Sequence, residues 1–129
     1  MITTSLNTLP LSTHRRQYFP PDEQRQPCRV WVDEQGHILD CCANTQIIFG
    51  YDRDALKGRH IAVLIPSLGH VSLLDGGAVN PRLAYRCRCA VPFQVVDYDG
   101  RKSRCHLFMN RVTLPNGPAL ALICVPLLY

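Results

Sequence analysis

The sequence predicts an α+β domain: an antiparallel sheet with short helices packed on one face. Three observations carry this. Strand-like runs near both ends are joined by turn residues, at Glu34-Gln35-Gly36, Tyr98-Asp99-Gly100 and Asn116-Gly117. Between them, Ile47, Ile48 and Tyr51 fall at helical spacing and Gly50 supplies a stop. The chain of 129 residues is 47% hydrophobic and 19% charged, the balance of a globular domain able to bury a core without staples.

Residues 1–27 are polar, carry Pro10, Pro20, Pro21 and Pro27, and show no sustained apolar period; they are expected to form a mobile N-terminal arm, with Tyr18 and Phe19 as its candidate docking residues. Residues 28–129 form the domain. Val30–Asp33 and His37–Asp40 read as a hairpin around Gly36. A helical segment follows and ends at Gly50. Asp52 is placed to cap a further turn over 53–56, which Gly58 ends, and the apolar run Ile61–Ile65 halts at Pro66. Leu68–Leu74 is expected to be helical, broken by Asp75-Gly76-Gly77, with Asn80-Pro81 turning the chain.

The last third reads as three strands. Tyr85–Asp97 alternates, with Tyr85, Cys87, Cys89, Val91, Phe93 and Val95 on one side, and predicts one long half-buried strand. A three-residue turn then pairs Asp97 with Arg101 and sets Phe93 opposite Cys105, Val91 opposite Leu107 and Cys89 opposite Met109. If Asn116-Gly117 is the next loop, Pro115 opposes Pro118, Met109 faces Cys124 and Phe108 faces Val125. The inner face then carries Leu107, Met109, Leu120, Leu122 and Cys124.

The stretch Val30–Pro66 resembles a PAS domain. The matching words are Val32-Asp33 with Gly36, Ile48-Phe49-Gly50-Tyr51, Leu56 with Gly58-Arg59, and Leu64-Ile65-Pro66; Asp99-Gly100 resembles the turn of the family's last hairpin. The likeness spans roughly residues 28–126. It implies a five-stranded antiparallel sheet with the first strand beside the last, short helices on one face, and a sensory or protein-interaction role in signal transduction rather than catalysis. Counting back from Phe49-Gly50, the family usually has Asn where this chain has Cys42, and Asn44 stands two places later.

For chemistry, the inner row Cys89–Met109–Cys124 is the first candidate. Its outer sulfurs would lie about 10 Å apart, too far for one ion with Zn–S bonds of about 2.3 Å, so no metal site is expected. The row is either a core using cysteine as a small hydrophobe or the floor of a ligand pocket lined by Phe49, Cys89, Val91, Leu107, Met109, Leu122 and Cys124. Some members of the resembled family hold haem through a histidine after Leu-Ile-Pro, which makes His70 the candidate haem ligand here. The flavin-binding cysteine segment of the family is not reproduced at Cys41-Cys42-Ala43-Asn44, and no Ser-His-Asp or Cys-His spacing supports catalysis.

On the outer face, Trp31, Phe108, Ile123 and Val125 form an apolar group that implies a cover. The arm, another domain or a second copy would serve; the resemblance favours homodimerisation, with a signalling protein or output domain as further partner. The net charge of +4 is spread over scattered Lys and Arg, which does not suit nucleic-acid binding. No secretory leader and no membrane-length apolar run is present, and seven cysteines without a C-x-x-C suit free thiols, so the expected compartment is the cytoplasm.

Overall fold

The computed structural model describes residues 26–127; the expected arm, including Tyr18 and Phe19, lies outside them. The architecture is one five-stranded antiparallel sheet with short helices, in the order β2-β1-β7-β6-β5, and a separate two-stranded ribbon β3-β4. The strands are β1 (Cys28–Val32), β2 (Ile38–Cys41), β3 (Leu74–Asp75), β4 (Ala78–Val79), β5 (Phe93–Val96), β6 (Lys102–Leu114) and β7 (Gly117–Pro126). The helices are α1 (Ala43–Phe49), α2 (Arg53–Leu56) and α3 (Pro81–Arg88), with 3-10 turns at Ile61–Val63 and Pro66–His70.

The first hairpin forms as the sequence predicts. Asp33 Oδ1 accepts from the amides of Gln35 and His37, both at 2.9 Å, and Gly36 sits at φ 91°. Period-2 alternation puts Cys28, Val30 and Val32 wholly in the core and leaves Trp31 on the other face, opposite Asp40 and Ala121. Helix α1 ends where expected: Gly50, at φ 75°, donates its amide to Gln46 O at 2.9 Å. Asp52 holds the position before α2 without a side-chain capping bond. Ile61, Leu64 and Ile65 are buried, carried by a 3-10 turn in which His60 Nδ1 accepts from the Ala62 amide at 3.0 Å.

Two expected elements are corrected. The helix expected over Leu68–Leu74 is a 3-10 turn that stops at His70; the chain then extends into β3, and Gly76-Gly77, both at positive φ, turns it back into β4. The long strand expected over 85–97 is α3 followed by the short β5. Asn80 caps α3 by accepting from the Arg82 amide at 2.9 Å, and Pro81 occupies the first helical position, where its missing N–H costs nothing. Asn-Pro, read as a turn, is a helix start. Burial follows helical spacing, with Leu83 buried, Cys87 half-buried and Tyr85 60% exposed. Ala90, at φ 55°, closes the segment.

The β5–β6 register is the expected one, with Phe93 opposite Cys105. Asp97 donates its amide to Arg101 O at 3.0 Å, and Gly100 stands at φ 83°. The β6–β7 hairpin is slipped by two residues: Leu114 pairs with Gly117, so Pro115-Asn116 form the loop, Met109 faces Leu122 and Phe108 faces Ile123. The reason is chemical. In the expected register the closing pair would be two prolines, neither with an N–H to exchange, whereas Leu114 and Gly117 each have one. A shift of two keeps every side chain on its face. Leu107, Leu120, Leu122 and Cys124 are buried as predicted.

Candidate functional site: the two faces and edges of the sheet

The inner face is roofed by the helices. Helix α1 packs on β1 and α3 on β6, while the turn Pro66–His70 packs against β5. Of the expected pocket residues, Phe49, Leu107, Leu122 and Cys124 come together in the core, with Met109 half-buried against it. Cys89 and Val91 do not join them. Both follow α3 and are exposed, because the strand that was to carry them is a helix. The row across the sheet is Cys28–Cys124–Leu107, not Cys89–Met109–Cys124.

Cys28, which the sequence reading missed, is fully buried; the signal was there, since Cys28 extends the alternation of Val30 and Val32 by one step. Burial, with neighbouring thiols, pushes its thiol up to about 12. Cys124 is raised by its contact with Cys105 and by burial. These thiols stay protonated and pack as small hydrophobes. Cys42 differs. Burial would raise it, but hydrogen bonds from Thr45, from the Arg29 amide at 3.2 Å, and from the Thr45 and Asn44 amides outweigh that and lower it. It occupies the place before α1, and its Sγ ties the helix to β1. Thr45, wholly buried, adds a second tie by donating to Arg29 O at 2.9 Å. Asn44 donates to the carbonyls of Gln26 and Pro27 at 3.1 and 3.2 Å, fixing the chain as it enters β1.

Every buried side-chain nitrogen and oxygen among the described residues has a partner. The described residues contain no group of three or more His, Cys, Asp or Glu placed for a metal ion. His70 ends the Pro66–His70 turn with its side chain exposed, while Leu68 and Leu73 take the buried positions on either side. An axial haem ligand must aim a ring nitrogen into a cavity; His70 does not fit that role.

The outer face carries the expected apolar group. Trp31, Ile123 and Val125 are half-buried and Phe108 is 48% exposed. Strand pairing joins Arg29, Ile123 and Phe108 in one row and Trp31 with Ala121 in the next. Asn110 ends the second row on β6 and Arg29 the first on β1, so the apolar members meet diagonally across β1, β7 and β6.

The edges differ. At β2, Ile38 donates to Arg59 O and accepts from the Gly58 amide, both at 2.8 Å, and His37 and His60 form a bridge, so the following segment seals that edge. Asp40 is gripped by the Arg53 guanidinium, with Nη2 at 2.7 Å from Oδ2, which holds its carboxyl down at about 2. At the other end, β5 pairs with β6 only over Lys102–Cys105, although β6 continues to Leu114.

No protein-family model and no curated protein matches the sequence. Solved structures do match. A PAS domain from a two-component sensor histidine kinase is 8% identical, over 78% of this chain and 85% of its own, at a TM-score of 0.59. The PAS domain of an HTR-like protein from Haloarcula marismortui is 15% identical over 90% and 96%, also at 0.59. That of nitrogen regulation protein NR(II) from Vibrio parahaemolyticus is 13% identical over 84% and 100%, at 0.54. At these identities the likeness is one of fold. Residues 26–127 have the fold of a PAS domain.

Proposed function

We propose that the chain is a sensory and protein-interaction module of a signalling system, working as a homodimer through the outer face of the sheet. One observation carries the dimer: the apolar group Trp31, Ala121, Ile123, Val125 and Phe108 lies contiguous on three neighbouring strands, on the face away from the helices. A twofold pairing presents this patch to itself and removes it from water. The structural neighbours named for a sensor histidine kinase and for a nitrogen regulation protein support the signalling role by analogy of fold. Cytoplasmic location belongs to the same proposal; among the described residues no helix is long and apolar enough to cross a membrane.

The inner face is the sensing side in this reading. A small apolar ligand would enter among Phe49, Leu107, Met109, Leu122 and Cys124, where half-buried Met109 is the adaptable wall. Its binding shifts the module only through different affinity for two arrangements of the helices over the sheet. A partner or output domain reads that shift from the outer face.

Native mass spectrometry of the full chain tests this. The expected result is a dimer that Phe108→Glu and Ile123→Lys each convert to a monomer with an unchanged circular-dichroism spectrum. A monomeric parent protein, or dimers that survive both substitutions, overturns it.

A further inference from the structure

The unbonded edge of β6 has a chemistry of its own. Past Cys105 the strand runs from His106 to Leu114 with β7 on one side and, among the described residues, no main-chain hydrogen bond on the other. Helix α3 and β4 lie against β6 without bonding to its backbone. In an antiparallel strand every second residue turns its N–H and C=O away from its partner, so this edge presents an alternating row of donors and acceptors. Natural sheets blunt such edges with lysine, proline or a bulge, or cover them with a helix or loop, as α3 and β4 do here in part. Residues 106–114 contain no lysine and no proline, and their register with β7 is unbroken. Phe108, Asn110, Arg111 and Thr113 are exposed along it.

The charge on the strands and helix flanking this edge is mainly positive. No Asp or Glu occurs from Ala78 to Val96 or from Lys102 to Tyr129, whereas Arg82 and Arg88 of α3 and Arg104 and Arg111 of β6 are all exposed. Of the acids among the described residues, Asp75 lies in β3 and Asp97 and Asp99 at the β5–β6 turn, while Asp33, Glu34, Asp40, Asp52 and Asp54 lie on the β2 side.

We propose that the β6 edge beyond Cys105 binds an extended acidic peptide segment of a partner protein, added to the sheet as a sixth strand. Backbone pairing supplies the affinity, and the arginines select acidic side chains. A second copy is disfavoured because pairing β6 with β6 sets two cationic edges together. A phosphate backbone is disfavoured because it offers acceptors only and leaves the outward carbonyls of β6 unmet. This goes beyond the signalling reading and uses the backbone edge of β6 rather than the apolar face; the two share Phe108, and Arg111→Glu, which leaves the apolar face intact, tells their failures apart.

The test uses the full chain and three synthetic peptides: one alternating valine and glutamate, one alternating valine and lysine, and the glutamate peptide with N-methylated amides. Binding is followed by calorimetry and by amide NMR. The glutamate peptide is expected to bind, to protect every second amide between His106 and Leu114, and to bind about fivefold more weakly to Arg111→Glu. The other two peptides are expected not to bind. Equal binding of the lysine or N-methylated peptide overturns the proposal, as does no binding at all or a response confined to the Trp31 face. So does tighter binding of a single-stranded oligonucleotide, or amide protection that grows with protein concentration alone; these outcomes point to nucleic acid and to a second copy.

Discussion

The two edges of the sheet are finished in opposite ways. At β2 the chain returns on itself, and the backbone of Gly58 and Arg59 takes up both polar groups of Ile38. At β6 the neighbouring strand is cut short, because the residues that would have lengthened β5 are wound into α3. The comparison teaches that the same inner core supports a sealed edge and an unsealed one. Sealing here depends on local chain path, not on the apolar pattern.

Substitutions can break this contrast in graded steps. Leu122 sits in the row Val30–Leu122–Met109, which supports both edges. Leu122→Ala should cost about 2–5 kcal/mol in urea denaturation and loosen both edges alike. If only one edge loosens, they do not share a core. Next is Gly36, whose φ is 91° and where an added Cβ would lie 2.6 Å from His60 Nε2. Gly36→Ala should cost roughly 1–3 kcal/mol and expose the Ile38 amide to exchange while leaving β6 unchanged. Asn80 caps α3 and also donates to Ser72 O at 2.7 Å. Asn80→Ala should cost about 1 kcal/mol, read in thermal melts, with the loss confined to the β6 side.

The smallest effect belongs to Asp40. Its folded carboxyl titrates near 2, below the ordinary value, so the stabilisation it gives is complete above the unfolded value of about 4 and is lost as pH falls toward 2. The pair with Arg53 is solvent-exposed and screened, so its contribution is the smallest of these. Asp40→Asn should flatten the stability profile between those two pH values and lower neutral stability less than any of the other three substitutions. An unchanged acid slope would show that the grip of Arg53 is without energetic consequence.

Much of the fold was legible because local chemistry and face agreed. Gly36, Gly50 and Gly100 each stand at a positive φ that a turn or helix end requires, and period-2 alternation assigned Val30, Val32, Leu107, Leu122 and Trp31 to the right faces. Helix α3 was not legible in this way. Asn-Pro opens turns and helices alike, and the last turn of α3, Tyr85-Arg86-Cys87-Arg88, running on into Cys89, mimics an alternating strand. The slip at Pro115-Asn116 turned on two missing amide hydrogens, which hydropathy does not register. The seal on β2 was invisible for another reason, since it joins residues some twenty apart through main-chain groups that every sequence possesses. The expected pocket lost Cys89 and Val91 with the strand that was to hold them, while the outer group kept all of its members.

The contrast between the edges is tested most directly by residue-resolved amide hydrogen exchange of the dilute full chain. The account predicts that the Ile38 amide is protected, and that between His106 and Leu114 protection alternates, with every second amide exchanging fast. Uniform protection along 106–114 in the free protein, or rapid exchange at Ile38, contradicts it.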